Sequence, residues 1–171
     1  SIGNDNLFLG ISSGNTNEGS KNMNIGFKAG QHSSIGNNNT ILGYQAGSNI
    51  CEGENNTIIG QNAGMYSNSV NNTIIGREGG MNGLDINDNI LIGEKVGKFI
   101  KGSNNVIIGN KTASNSTSAE YRNNILIGNN SKYTSTNGEN NILLGNGLDN
   151  EVSSSLMIGN RKLTFVRDVG Y

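Results

Sequence analysis

The chain has 171 residues, of which 26 are Gly, 33 Asn and 20 Ile, with no Pro, no Trp, one Cys and one His. Twelve basic against thirteen acidic residues leave a net charge of −1, so no excess charge draws the chain to nucleic acid or to an anionic membrane. The lone Cys excludes a disulfide framework, the missing Pro excludes collagen, and one His with one Cys leaves little for transition-metal sites or Cys–His catalysis.

One phrase recurs along the chain: Asn, a variable residue, two apolar residues, Gly. In chain order it reads Asn6-Leu7-Phe8-Leu9-Gly10, a weaker Asn22 to Gly26, Asn39-Thr40-Ile41-Leu42-Gly43, Asn56-Thr57-Ile58-Ile59-Gly60 and Asn72-Thr73-Ile74-Ile75-Gly76. It continues as Asn89 to Gly93, Asn105 to Gly109, Asn124 to Gly128, Asn141 to Gly145 and a weaker Ser155 to Gly159. The anchoring glycines are spaced 16, 17, 17, 16, 17, 16, 19, 17 and 14 residues apart. A second Gly follows the anchor by four residues in the first six copies, Gly14 to Gly97, and the last four place Asn after the anchor instead. Residues 1–160 therefore form one repeat array with a change of sub-type near residue 100. Residues 161–171 break the pattern; their alternating apolar residues predict one last strand, a cap, or the start of a further domain. The opening phrase, Ser1-Ile2-Gly3-Asn4, reads as the inside of a repeat and so as a fragment.

Short, β-branched apolar segments bounded by Gly and Asn read as strands. A period of 16–17 residues spans roughly 55 Å of extended chain, enough for one narrow coil of two short strands and two tight turns. The prediction is all-β: a β-solenoid or β-roll of about ten rungs, a rod roughly 45–50 Å long. Its glycines are expected to supply positive φ in the turns. The short apolar runs contain no membrane-spanning helix, and no signal peptide is visible.

The Asn four residues before the anchor, at Asn6, Asn22, Asn39, Asn56, Asn72, Asn89, Asn105, Asn124 and Asn141, is expected to form a stacked ladder or to favour a turn rather than to bind a ligand. The residue before the anchor is apolar in all ten copies, including Ile25, Leu42, Ile59, Ile75, Ile92, Ile108, Ile127 and Leu144. The residue before that is apolar in nine, with Asn24 the exception. Neighbouring strand residues point to opposite faces. One stripe can fill a narrow coil, and the other is left as an exterior strip larger than soluble monomers expose. A homo-oligomer would cover it; a wider coil or a packed cap is the competing reading.

The phrases Asn39-Thr40-Ile41-Leu42-Gly43-Tyr44-Gln45-Ala46-Gly47 and Asn56-Thr57-Ile58-Ile59-Gly60-Gln61-Asn62-Ala63-Gly64 resemble repeats of viral and phage fibre or spike proteins, including cell-wall attachment proteins of large algal viruses. They are similar, more distantly, to repeats in the heads of bacterial trimeric autotransporter adhesins. The resemblance covers residues 1 to about 160, most clearly 22–97. It implies a parallel homotrimer and a non-enzymatic role in attachment to a host-surface polysaccharide or glycan at the virion surface. The alternatives are a bacterial adhesin head at the cell surface and a glycan-cleaving tailspike fragment.

For catalysis the chain would need paired carboxylates, yet its acids are scattered through turns, with Asp85 and Asp88 nearest to a pair. No metal ligand set, cofactor, nucleic-acid partner or membrane insertion is expected. His32 sits in a polar turn and reads as solvated. Phe27 and Tyr44, one residue after successive anchors, form a candidate sugar-stacking strip together with Ile11, or else pack at a subunit interface. Stacking at a 17-residue offset predicts two cross-rung ion pairs, Arg77 with Glu94 and Glu78 with Lys95. The sequons at Asn38, Asn55, Asn71, Asn110, Asn115 and Asn129 are weak signals, three of them products of the repeat. The aligned Thr40, Thr57 and Thr73 are too few for an ice-binding array.

Overall fold

The computed structural model describes residues 3–32, 36–50, 53–66, 69–83, 85–114, 120–133, 137–159 and 161–163. Fifteen short strands occur among them, all of two or three residues. They are β1 (Leu7–Leu9), β2 (Met23–Ile25), β3 (Thr40–Leu42), β4 (Thr57–Ile59), β5 (Thr73–Ile75), β6 (Ile90–Ile92), β7 (Val106–Ile108), β8 (Glu120–Arg122), β9 (Ile125–Ile127), β10 (Lys132–Tyr133), β11 (Asn137–Glu139), β12 (Ile142–Leu144), β13 (Asp149–Asn150), β14 (Leu156–Ile158) and β15 (Arg161–Leu163).

Ten of these stack in parallel as a single ladder, β1-β2-β3-β4-β5-β6-β7-β9-β12-β14, and β15 joins the far edge antiparallel. The register is one repeat per rung: Ile41 lies on Ile58, Ile58 on Ile74, and Ile74 on Leu91. The chain is thus a β-solenoid whose strands are the Asn-x-apolar-apolar-Gly phrases. β15 covers the edge of β14; residues 164–171, the rest of the predicted terminal strand or cap, lie outside the described residues.

A second strand in every coil is not what forms. Among the described residues, β1 to β7 are each the sole strand of their rung; elsewhere in the coil single parallel bridges join Glu54 to Val70 and Lys101 to Glu120, and paired strands occur only beyond residue 119, as β8 with β11 and β10 with β13. For β10 and β13 the cause lies four residues after the anchor. There Gly14, Gly30, Gly47, Gly64, Gly80 and Gly97 take φ between 51° and 55°, and Ala113 follows at 53°, curling the chain. Lys132 and Asp149 hold the same position in later rungs and begin the extended β10 and β13. The change of repeat sub-type near residue 100 foreshadows this change of shape.

The interior is a thin column. The middle residue of each strand points inward: Ile41, Ile58, Ile74, Leu91, Ile107, Leu126 and Leu143 are fully buried. Facing them, three residues after each anchor, is a row of mostly small side chains, Ser13, Ala29, Ala46, Ala63, Val96, Thr112 and Ser131, ending in Leu148. Ile50, Ile86, Ile100 and Tyr121 fill the remaining corner. A large residue on one wall and a small one opposite lets rungs stack without voids.

The glycines do two jobs, of which positive φ is only one. The anchor Gly43 has φ 142°, and a Cβ there would lie 2.5 Å from the carbonyl oxygen of Gly60 in the next rung. Most glycines seven residues before the anchor need the second property alone, Gly102 at φ 113° being the exception. Gly19 has no positive φ, but its Cβ would lie 1.8 Å from Gly36 O. Close stacking of backbone on backbone, more than turn geometry, requires glycine there.

Candidate functional site

The Asn column is consumed by structure. The N–H of Asn22 donates to Asn6 Oδ1 at 2.8 Å, and the same link repeats up the rod through Asn39, Asn56, Asn72, Asn89, Asn105, Asn124 and Asn141 to Ser155, at 2.8–3.0 Å. Each amide from Asn6 to Asn124 also donates to a backbone carbonyl one rung on, as Asn39 Nδ2 does to Gly53 O at 2.7 Å and Asn56 Nδ2 to Ser69 O at 2.7 Å, whereas Asn141 Nδ2 donates to Glu139 O of its own rung at 2.9 Å. From Asn22 onward these side chains are buried. They tie rungs together and have nothing left to offer a ligand.

The strand's outward face is apolar. The residue before each anchor, including Ile25, Leu42, Ile59, Ile75, Ile92, Ile108, Ile127 and Leu144, points away from the core and is half-buried or exposed. Two residues earlier runs a parallel row, Leu7, Met23, Thr40, Thr57, Thr73, Ile90, Val106, Ile125, Ile142 and Leu156, which is apolar apart from three threonines. Adding the row just past the anchors, Ile11, Phe27 and Tyr44, this one side carries twelve of the fifteen exposed large hydrophobics among the described residues. The patch is therefore one continuous strip and not a scatter of single residues. It is barest at the N-terminal end, where Leu9 is 62% and Ile11 74% exposed.

The Phe27 and Tyr44 rings stack on each other, centroids 5.2 Å apart and planes 16° from parallel, and Lys28 Nζ lies over Phe27 at 5.4 Å. Sugar stacking uses a ring face, and each of these rings has one face against the other. The pair borders the apolar strip and extends it.

A polar groove lies on a different side. Asp85, Asn87, Lys101, Gly102, Ser103, Glu120 and Arg122 line a volume of about 340 Å³. These residues come from three successive rungs, six to eight residues before anchors Gly93, Gly109 and Gly128. Glu120 is held by Lys101 at 3.0 Å and Arg122 at 2.7 Å. The Lys101 hydrogen bond, then the Arg122 charge, keep its carboxyl below the usual carboxylate range. Asn87 Oδ1 accepts the Val70 N–H at 3.0 Å. Sequence reasoning missed this groove, because Asp85 and Glu120 are 35 positions apart and only stacking brings them to one wall.

Of the two predicted ion pairs, Arg77 does bond to Glu94 across the rungs. Glu78 instead meets Lys98, at 2.7 Å, while Lys95 lies 3.9 Å from Glu94 of its own rung. The longer reach of Lys98 across the turn wins over simple vertical stacking. Asp88 accepts from Asn71 Nδ2 at 2.9 Å. Among the described residues no three His, Cys, Asp or Glu side chains gather as metal ligands, and no helix is long and apolar enough to cross a membrane. Cys51, Glu52 and the sequon at Asn115 lie outside the described residues. Comparison with protein-family models, with curated proteins and with solved structures found no match to this chain.

Proposed function

We propose that this chain is a non-enzymatic rod segment of a viral or phage attachment fibre or spike, assembled as a parallel homotrimer and holding the virion to a host-surface glycan. The observation that carries the reading is the apolar strip that runs along one side of the rod. The strip is roughly 45 Å long and 10 Å wide, at the upper end of what a monomer leaves bare. Parallel copies related by a rotation axis would bring the same rungs of each chain together at the same height. The need for a partner comes from the strip; the number three and the biology come from the repeat's resemblance to fibre proteins. Trimerisation would also multiply weak glycan contacts through avidity. A bacterial adhesin head would use the same assembly, and a membrane anchor downstream in the full-length protein would select it.

A glycan-cleaving spike is the second reading with an observation behind it, since Asp85 and Glu120 share one groove. They stand two rungs apart, roughly 10 Å along the axis, close to the separation used by inverting glycosidases. A general acid, however, needs a raised pKa, and Glu120 is pushed the other way by its two cations. This favours holding a saccharide over cutting it. Light scattering on the purified chain tests the main reading. A mass near three times 18.0 kDa is expected, and a stable monomer overturns it. Release of new reducing ends from a bound polysaccharide would replace attachment with cleavage.

A further inference from the structure

We infer that the groove formed by Asp85, Asn87, Lys101, Ser103, Glu120 and Arg122 is a binding site for a short neutral oligosaccharide. The inference deepens the attachment reading and rests on it, by locating the sugar contact away from the aromatic strip. Four observations carry it.

The groove's volume, about 340 Å³, falls at the lower end of the range of small-molecule sites. Its length of three rungs, roughly 10 Å, suits a short piece of an extended chain better than a compact metabolite.

Half of its polar groups are unused. The Asp85 carboxylate, the Asn87 amide NH₂ and the Ser103 hydroxyl make no protein hydrogen bond among the described residues, whereas Asn87 Oδ1 is fixed by the Val70 N–H at 3.0 Å. That bond sets which end of the Asn87 amide faces outward, and it is the donor end. Acceptor, donor and hydroxyl thus stand side by side, a set that matches neighbouring sugar hydroxyls, each of which both gives and takes a hydrogen bond.

The charges cancel. Lys101 and Arg122 are neutralised in part by Glu120, bonded to both, and Asp85 offsets the remaining positive charge. An anion would meet Asp85, and a cation would meet Lys101 and Arg122. A neutral, hydroxyl-rich ligand suffers neither repulsion. The lining is too polar for an apolar one.

The floor is open. Gly102 has φ 113°, and a Cβ there would lie 2.1 Å from Tyr121 O. Glycine at the groove's centre lets two rungs close up beneath the ligand while the flanking Lys101 and Ser103 side chains stand at its rim. Next to it Tyr121 points inward and is fully buried, so its ring fills the space behind the groove.

The test is binding of the intact chain to an array of oligosaccharides that includes cellotetraose, chitotetraose, mannotetraose and the acidic tetragalacturonate. Three variants are run beside it. Asn87→Asp keeps the acceptor for Val70 N–H and removes the donor. Arg122→Ala removes a guanidinium that is more than half exposed, leaving the core untouched. Phe27→Ala with Tyr44→Ala removes the aromatic stack. A neutral tetrasaccharide should bind the wild type, weaken by about tenfold or more in Asn87→Asp and in Arg122→Ala, and bind the aromatic double variant as before. Melting of each variant, followed by circular dichroism, separates lost binding from lost fold. Binding that survives both groove variants overturns the groove and leaves glycan attachment standing. Preference for tetragalacturonate overturns the neutral ligand. No binding anywhere on the array overturns the groove and the glycan-attachment reading together.

Discussion

A solenoid makes each residue's role readable against its counterparts above and below, and Asn24 is the residue that departs furthest. It takes the inward position held by Phe8 in the rung before and Ile41 in the rung after, is fully buried, and neither amide atom finds a hydrogen-bond partner. Burying an unpaired amide costs about 1–3 kcal/mol. Asn24→Ile, which restores the repeat, should therefore raise the stability of the chain by about that amount in chemical denaturation; an unchanged or lower stability would mean that the amide is satisfied in solution. The ladder asparagines make the opposite case. Asn72 Oδ1 accepts the Asn89 N–H at 2.9 Å, and its Nδ2 donates to Ile86 O at 2.9 Å. Asn72→Ala strands both buried partners, and a loss of about 2–4 kcal/mol is expected. Its exposed neighbour Asn71, at φ 58°, should tolerate Asn71→Gly with a change of less than about 0.5 kcal/mol. The Asn column was legible in the sequence because its spacing never fails before residue 141. That its amides are spent on backbone was not legible: five of the carbonyls they reach belong to the recurring glycines Gly19, Gly36, Gly53, Gly102 and Gly138, but a glycine in a repeat marks a position without saying that its carbonyl meets an amide of the neighbouring rung.

At the scale of strands and turns, the repeat's offset reveals vertical neighbours well and diagonal ones poorly. Arg77 over Glu94 follows from a 17-residue step. Glu78 with Lys98 is a 20-residue step across a turn, whose path depends on left-handed residues such as Lys95 at φ 54°. Likewise, the single strand per coil was hidden, since a Gly four residues after the anchor signals a turn without saying that the turn consumes the whole second side. The Glu78 pair has a measurable consequence. Its carboxyl lies below the ordinary range, chiefly through the hydrogen bond from Lys98, with the charges of Lys98, Lys95 and Arg77 adding to it. A carboxyl whose folded pKa is depressed stabilises the fold above its unfolded value, near 4.5, and that stability is lost as pH falls through the folded value. The melting temperature should fall as pH is lowered from about 5 to about 3, and should fall less in Glu78→Gln. At neutral pH that variant should be less stable by up to about 1 kcal/mol. Identical pH profiles for the two proteins would show that the pair contributes nothing to folding.

For the whole molecule the deciding feature is that one strand has two apolar faces and the coil has room for one. The sequence displayed both stripes without saying which turns inward. The structure puts Ile74 and Ile107 inside, fully buried, and leaves Ile75 and Ile108 on the strip. This division makes the proposed assembly separable from folding. Ile75→Lys with Ile108→Lys changes only outward side chains, two rungs apart on β5 and β7, and leaves the coil's interior, its glycines and its Asn ladder intact. In a trimer the pair removes six isoleucines from the shared core; since these side chains are already half-buried in the single chain, the loss stays below the roughly 9–18 kcal/mol per trimer that six full burials at about 1.5–3 kcal/mol each would give, before the repulsion of the added ammonium groups. The double variant should run as a monomer of 18.0 kDa in light scattering while keeping a β-sheet circular dichroism spectrum. Its melting temperature should no longer depend on protein concentration, as that of the wild type should. A variant that stays trimeric would move the interface off this strip; a wild type whose melting ignores concentration, together with a monomeric mass, would mean that the strip is stable in water as it stands.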